Sequence, residues 1–433
     1  MQATGRTLML AGHLVPLGPR AAGQAVAREV RSMSLGLRLW LAFLLAVLAV
    51  GALAALIAIP PGWEVTGTSP SFEWGLLIVG YVFFAIMTSG LCLASSLGTV
   101  FGIERFRPLE KRHAILVVLS LTTAFIVIAL ELHYPVRLVF GVVLVPAPSS
   151  PMWWMGVFYS LYLVVLLVEV WSMFTDHPII HQWSCTLAAC VAIVAPTTLG
   201  LVFGALAARP FWYGLFTPLQ MVVSAFLAGT CLLGIVFYGV TRFRLQDHDR
   251  AARLAIPSIR LLLLVGLVAV SALVARQVAA GLTGTQPGLR EATEALVAGP
   301  LAAEFWAVRV GAGLVVPLLL LLVPGTRGAA GVFGASLLAL IGVFVDRMLL
   351  VSAGQIAPTT TAAGTVSYPY AAYTPSPVEI AIIAGAVAFV ALIYTLAERY
   401  LDLGESDVHV FFPWPWLRKH DVPAPAATEG VGS

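Results

Sequence analysis

The chain has 433 residues, of which 60% are hydrophobic and only 10% are charged, and its formal net charge is +3. A soluble domain carries about 25% charged residues, and so small a net charge gives no indication of nucleic-acid binding. The four cysteines (Cys92, Cys185, Cys190 and Cys231) all lie in apolar stretches, and no CxxC or CxxCH motif occurs. We therefore predict no zinc site, no iron–sulfur cluster and no covalent haem in this chain.

Ten apolar stretches are each long enough to cross a bilayer, which takes about 20 residues of helix. Because lipid offers backbone polar groups no other partner, each stretch is predicted to be a helix. The predicted spans are 36–60, 74–101, 113–133, 152–174, 182–207, 216–241, 257–281, 303–323, 329–353 and 377–400. The predicted fold class is an all-α integral membrane protein, with a flexible segment 1–35 before the first span and a tail 401–433 after the last.

The distribution of Lys and Arg predicts the orientation of the chain. Of the 24 basic residues, 18 lie in the two termini or at one set of helix ends. Basic residues mark the cytoplasmic side, so both termini are predicted to be cytoplasmic. The loops predicted to face outward are 134–151, 208–215, 282–302 and 354–376.

A short internal repeat relates the second and sixth spans. Ser89-Gly90-Leu91-Cys92-Leu93 and Ala228-Gly229-Thr230-Cys231-Leu232 match at an offset of 139 residues. Small residues let membrane helices approach closely. The repeat predicts a parallel pair of four-helix bundles, 74–207 and 216–353, flanked by the first and last spans. Chance similarity between two short apolar motifs is the alternative.

Glu131, His133 and Arg137 cluster at the predicted outer end of the third span. Imidazole titrates near neutrality, so a neighbouring carboxylate and imidazole suit proton exchange with a hydroxyl or carbonyl ligand. The alternative is an ordinary interfacial helix end, with Arg137 reaching towards the headgroups.

Glu169 lies in the inner half of the fourth span, on the same helix as Tyr159 and Tyr162. Tyr162 is two turns from Glu169 on the same helix face, and His177 and His181 follow on the cytoplasmic side. A proton path through Glu169, Tyr162 and His177 is one interpretation. A structural hydrogen bond from Glu169 to a neighbouring helix is the other.

The later spans also contain charges. Asp346 and Arg347 lie in the ninth span, with Arg276 and Arg309 at a similar depth in the seventh and eighth. Because charges inside a membrane are expensive unless paired, we predict an intramembrane ion-pair network. Asp346 and Glu379 are the candidate partners of Arg276 and Arg309.

The outward loops are rich in Pro, Tyr and Trp, and they include Arg209 and Trp212. These residues form either an aromatic belt at the membrane interface or a docking surface for an extracytoplasmic partner. The eight histidines argue against haem b, which needs two imidazoles well inside facing helices. Here the histidines lie at helix ends, in tails or, for His133, alone at the outer side.

These residues resemble the NrfD/PsrC family of polysulfide-reductase-type membrane subunits. The number of spans, ten, resembles that of the family branch containing the hydrogenase-2 membrane subunit and the alternative complex III core subunits. The segments that carry the resemblance are Glu73–Gly98, Glu131–Arg137, Ser150–Trp153, Arg209–Trp212, Asp346-Arg347 with Gly354-Gln355, and Tyr373–Glu379.

The resemblance implies two four-helix bundles and a quinone site near the outer face of the first. Matched by position, Glu131, His133 and Arg137 would bind the quinone, with Tyr159 nearby, although the family more often has Asp where Glu131 stands. The resemblance also implies menaquinone or ubiquinone as substrate and no prosthetic group in this chain. The implied partners are an extracytoplasmic four-cluster iron–sulfur protein and a catalytic subunit of molybdopterin, hydrogenase or cytochrome type.

The sequence therefore predicts a quinone-reactive subunit of a respiratory oxidoreductase in a prokaryotic cytoplasmic membrane, with proton translocation as a further expectation. A secondary transporter is the alternative, because internal repeats and Gly/Pro interruptions also occur in transporters. The polar residues gather at outer helix ends, which argues against it. A purely structural anchor without a ligand is the third interpretation.

Overall fold

The structure is a computed structural model. It describes residues 7–10, 13–16, 29–59, 65–103, 106, 110–132, 145–175, 177–243, 249–286, 288–356, 371, 373–401 and 403. Within these ranges, ten helices are long and apolar enough to cross a membrane. The predicted all-α integral membrane fold is therefore confirmed.

The first half of the chain begins with a short hairpin that the sequence analysis did not predict. Strands β1 (Thr7–Leu10) and β2 (His13–Pro16) pair in antiparallel register. Five long helices follow, namely α1 (Leu35–Ala58), α2 (Leu76–Thr99), α3 (Glu110–Glu131), α4 (Pro151–Phe174) and α5 (Pro178–Gly204).

The second half contains α6 (Phe216–Phe243), α7 (Asp249–Thr283), the short α8 (Leu289–Val297), a π-helix (Glu304–Val315), α9 (Val316–Leu322), α10 (Ala329–Ile356) and α11 (Pro377–Tyr400). The π-helix and α9 are continuous and together form the eighth span, which a 3-10 turn at Pro324–Thr326 follows. Helix α8 lies in a segment that was predicted to be a loop. Its buried residues recur at helical spacing, so one face packs inward.

Local sequence explains where several helices begin. Proline occupies the first turn of α4, α5 and α11, a position where its missing N–H costs nothing. At α1, the Ser34 hydroxyl accepts a hydrogen bond from the Leu37 N–H. At α11, Ser376 and Glu379 form a reciprocal capping box.

Helices α2–α5 pack together, and α6, α7, the eighth span and α10 form a second group. Helix α2 is the most buried span, because it also packs along α6 and so joins the two groups. Helix α1 packs on α11, which in turn packs on α3. Residues of both groups share one continuous core.

The two copies of the repeated motif meet where α2 crosses α6. A side chain at Gly90 would collide with the backbone of Ala225 and Gly229, and a side chain at Gly229 would collide with the backbone of Gly90. The two indole rings of Trp74 and Trp212, one near each helix start, stack with centroids 5.1 Å apart. Gly90 and Gly229, which correspond in the repeat, therefore lie in close contact.

Candidate functional site

Glu131 lies on the last turn of α3, half-buried, at the predicted outer end of the first bundle. It is close enough to Glu379 for the two carboxylates to repel each other. His133 and Arg137, the other two residues predicted to bind quinone, lie outside the described residues. Within the predicted quinone site, the structure therefore describes only Glu131 and its neighbours on α11.

Glu379 joins the starts of two helices. Its side chain is 1% exposed, and its carboxylate accepts hydrogen bonds from the N–H groups of Gly67 (2.9 Å), Leu76 (3.2 Å) and Ser376 (2.8 Å). The Tyr373 hydroxyl donates to it at 2.9 Å. A carboxylate at helix N-termini is favourable. The prediction that Glu379 pairs with an intramembrane arginine is wrong, because backbone donors and a phenol already bind it.

Tyr373 is held protonated in this cluster. Burial, and then the adjacent Glu379 carboxylate, raise the pKa of the Tyr373 phenol above its ordinary value. The hydroxyl oxygen also accepts a hydrogen bond from the Leu76 N–H at 2.6 Å. The ring of Tyr373 stacks on Phe72 with centroids 4.7 Å apart. The segment before α11 is thus fixed against the start of α2.

A line of buried polar groups runs along α4. Tyr159 and Tyr162 are almost fully buried; Tyr159 faces Ser89, and Tyr162 faces the Cys92 thiol. Neither tyrosine hydroxyl makes a regular hydrogen bond to the described part of the chain. Buried polar groups of this kind usually bind ordered water.

At the predicted inner end of the line, Glu169 contacts His113. Glu169 Oε1 lies 3.3 Å from His113 Nε2, and each residue is 1% exposed. Glu169 Oε2 and His113 Nδ1 find no hydrogen-bond partner among the described residues. A carboxylate and an imidazole in contact can exchange a proton, so this pair is the second candidate for proton chemistry.

The two later histidines differ from each other. His177, predicted to continue the proton path, lies at the surface, where its ring packs on Trp171 with centroids 5.1 Å apart. His181 is buried, and its Nδ1 lies 3.3 Å from the Ser172 hydroxyl. The described residues bring His113, and not His177, into contact with Glu169.

The sequence analysis missed a second buried pair beside His113. Arg112 Nε lies 3.2 Å from both carboxylate oxygens of Glu398, and its Nη2 lies 2.8 Å from Oε1. The Tyr394 hydroxyl donates to the same carboxylate at 2.7 Å. Arg112 is one of the 18 basic residues that predict the orientation of the chain. An acid in the last turn of an apolar span was the signal that could have identified Glu398.

In the second bundle, the Asp346 carboxylate binds two guanidinium groups, those of Arg309 and Arg347. Arg309 also donates to the Gln277 amide oxygen at 3.2 Å, and Arg347 contacts the Met221 sulfur at 2.8 Å.

Arg276 does not belong to this cluster. Its side chain is exposed, and its guanidinium lies over the Phe216 ring, 4.5 Å from the centroid. The prediction that Arg276 takes part in the ion-pair network is wrong for the described residues, because it faces away from the bundle.

The predicted docking residues are largely internal. Trp212 is 2% exposed, and its indole N–H donates to the Leu350 carbonyl oxygen at 2.7 Å. Its ring occupies the space that a side chain at Gly354 would need. The prediction of partner docking is therefore wrong for Trp212, which packs between the bundles. Arg209 is half-buried and donates to the Gln355 carbonyl oxygen at 3.4 Å.

The fold and these clusters define a class: a multi-span membrane protein with titratable groups buried along one of two packed helical bundles. In the described ranges, no three His, Cys, Asp or Glu side chains are placed to hold a metal ion.

The chain belongs to the NrfD family of polysulphide reductases, whose profile matches residues 64–359. The family resemblance inferred from sequence is therefore confirmed. The chain is similar to the Hdr-like menaquinol oxidoreductase integral membrane subunit of Archaeoglobus fulgidus, at 25% identity over 355 residues. That match covers 78% of this chain and 86% of the relative. It is also similar to the C subunit of selenate reductase from Mesobacillus selenatarsenatis, at 21% identity over 407 residues, covering 83% of this chain and 93% of the relative.

Proposed function

We propose that this chain is the quinone-reactive membrane subunit of a respiratory oxidoreductase complex in a prokaryotic cytoplasmic membrane, with both termini cytoplasmic. The family and the relative named for menaquinol oxidation support this proposal. They also favour it over a secondary transporter. The observation that carries it is the line of buried polar groups in the first bundle, which runs along α4 from Tyr159 to Glu169 and its partner His113.

The quinone would be menaquinone or ubiquinone, bound near the outer end of α3. His133 would hydrogen-bond a quinone oxygen, Glu131 would exchange a proton with it, and Arg137 would hold the carboxylate or the partner subunit. Tyr159 would line the inner side of the site. Glu131 is half-buried on the last turn of α3 and lies near the Glu379 carboxylate.

Interconversion of quinone and quinol moves two electrons and two protons. The electrons would pass to or from an extracytoplasmic iron–sulfur subunit, and through it to a catalytic subunit. Arg209, at the outer side, is the remaining candidate for docking that partner. The protons need a separate route, because the described spans are otherwise packed with apolar side chains.

The proposed proton route runs from the inner end through His113 and Glu169 to Tyr162 and Tyr159. His177 would serve as a surface entry group. The unpaired atoms Glu169 Oε2 and His113 Nδ1 support this route, because a group that relays protons through water needs a free hydrogen-bonding position.

The test of the route is Glu169→Gln in the complete complex, reconstituted in liposomes with its own electron donor or acceptor. We expect quinone-linked turnover to fall by about tenfold or more, since one proton-transfer group contributes on the order of 10²–10⁴ in rate. Proton exchange with the inner face, followed with a pH-sensitive dye, should be lost. The matched control is Glu294→Gln, which makes the same substitution at an exposed carboxylate of α8. Unchanged turnover and proton exchange in Glu169→Gln would exclude the route.

The test of the quinone site is His133→Ala. We expect it to abolish quinone-linked turnover while the subunits still co-purify in the normal ratio. His420→Ala, in the C-terminal tail, controls for the loss of an imidazole. Normal turnover in His133→Ala would remove the quinone assignment, whatever the result for Glu169.

A further inference from the structure

The cluster in the second bundle contains more positive than negative charge. Arg309 and Arg347 are both almost fully buried, and they share one carboxylate, that of Asp346. The charged groups that act on Arg309 are Asp346 and Arg347 alone, within the part of the chain that the structure describes. Guanidinium groups stay protonated in proteins. The cluster therefore carries one net positive charge in the membrane interior.

The neutral contacts of the cluster do not remove this charge. Arg309 lies 5.5 Å from the centroid of the Phe305 ring and donates to Gln277, and Arg347 contacts the sulfur of Met221. These contacts solvate the guanidinium groups without neutralising them. An uncompensated buried charge is expensive, and such charges are normally paired.

Both arginines retain donors that are not used. The Nε–H groups of Arg309 and Arg347 are buried and have no hydrogen-bond partner among the described residues. Arg309 and Asp346 also line a small cavity, in which the centre of a water-sized sphere has about 10 Å³ of free space. The other walls of the cavity are apolar or glycine, and they include Leu227, Val270, Leu314, Val343, Gly313 and Gly342.

We propose that the second bundle binds one small monovalent anion of the chloride class at Arg309, in the cavity beside Asp346. The anion would neutralise the excess positive charge. It would also accept a hydrogen bond from the free Nε–H group of Arg309. The small size of this cavity favours a monoatomic ion over a polyatomic one. Gly313 and Gly342, whose backbones touch each other, leave the adjoining wall without side chains.

Asp346 sets how tightly the anion binds. Its carboxylate lines the same cavity and repels an anion, while it is itself held by both arginines. Removing this negative charge should therefore strengthen anion binding. A unit charge a few Å away changes the interaction energy by more than one decade of affinity, so Asp346→Asn should bind the anion at least about tenfold more tightly.

The experiment measures the thermal unfolding temperature of the purified complex during a titration of sodium chloride against sodium gluconate at constant ionic strength. The wild type should show a saturable rise in Tm with chloride, because a ligand that binds only the folded state stabilises it. Arg309→Met should lose the rise. Arg276→Met removes an exposed arginine of the same membrane region and should keep it.

Asp346→Asn keeps the proposal testable even if Arg309→Met fails to assemble. We expect its chloride response to saturate at a concentration at least about tenfold lower than in the wild type. A wild-type Tm that does not depend on chloride would overturn the proposal. So would a response retained in Arg309→Met, or one weakened in Asp346→Asn, since a purely structural ion pair predicts only losses.

Discussion

Arg112 and Glu398 should prove to be a strongly coupled pair that stabilises the predicted inner end of the first bundle. Both side chains are buried, Arg112 makes three close N–H to carboxylate contacts, and the Tyr394 hydroxyl donates to the same carboxylate. Removing one partner of such a pair leaves the other charge buried and unpaired, which costs about 3–5 kcal/mol. We expect Arg112→Met to lower the free energy of unfolding by an amount in this range.

The double variant Arg112→Met/Glu398→Leu should behave differently. With both charges gone, apolar side chains fill the site, and replacing a whole buried pair in this way is often neutral or stabilising. The double variant should therefore be more stable than either single variant. The difference gives a coupling energy of about 3 kcal/mol or more in a double-mutant cycle.

The assay is reversible unfolding of the detergent-solubilised complex in SDS, followed by circular dichroism, for all four members of the cycle. Arg290→Met breaks an ion pair of α8 that is exposed to solvent, and it should leave the unfolding curve unchanged. If both single variants cost less than about 1 kcal/mol, as exposed pairs do, or if the double variant equals the sum of the singles, the reasoning from burial fails.

Two further changes test the contacts at the predicted outer end. Gly354→Ala should lower the unfolding free energy by about 1–3 kcal/mol, because the new Cβ collides with the Trp212 ring. Gly239→Ala, where the space is open, should be neutral in the same SDS unfolding assay. Glu379→Gln should cost about 1–3 kcal/mol, because an amide NH₂ then faces donors that now bind a carboxylate oxygen. If Glu379→Gln unfolds like the wild type, the Tyr373 and backbone contacts to that carboxylate contribute little.

The membrane helices could be predicted because apolar length alone decides them. The sequence predicts spans 74–101 and 377–400, and the structure has helices at Leu76–Thr99 and Pro377–Tyr400. Helix α8 could not be predicted in the same way, since nine residues with mixed polarity resemble a loop. The π-helical part of the eighth span was also missed, because its composition matches that of an ordinary apolar α-helix.

The candidate site was partly predictable for a different reason. A charged residue inside an apolar span stands out, so Glu169 and Asp346 were identified from the sequence alone. Their partners were harder to identify, because pairing depends on which helices pack together. His113 is 56 residues from Glu169, and Arg112 is 286 residues from Glu398. The sequence alone gives no reason to prefer these pairs over many other pairs of residues that do not contact each other.

Helix α11 lies beyond the part of the chain that the family profile matches, residues 64–359. It nevertheless supplies a buried carboxylate to each end of the hairpin formed by α2 and α3. Glu379 binds the start of α2 at Leu76, and Glu398 binds the start of α3 at Arg112. These are opposite ends of the bundle, so the two contacts hold α11 against both ends of the hairpin formed by α2 and α3.

That arrangement bears on the proposed function, because α3 carries the proposed proton groups at both of its ends. Glu131 is on its last turn, and His113 is on its first turn, next to Arg112. A shift of α3 by one turn would move both groups by about 5.4 Å, more than the length of a hydrogen bond. We therefore expect a change that loosens α11 to impair both ends together.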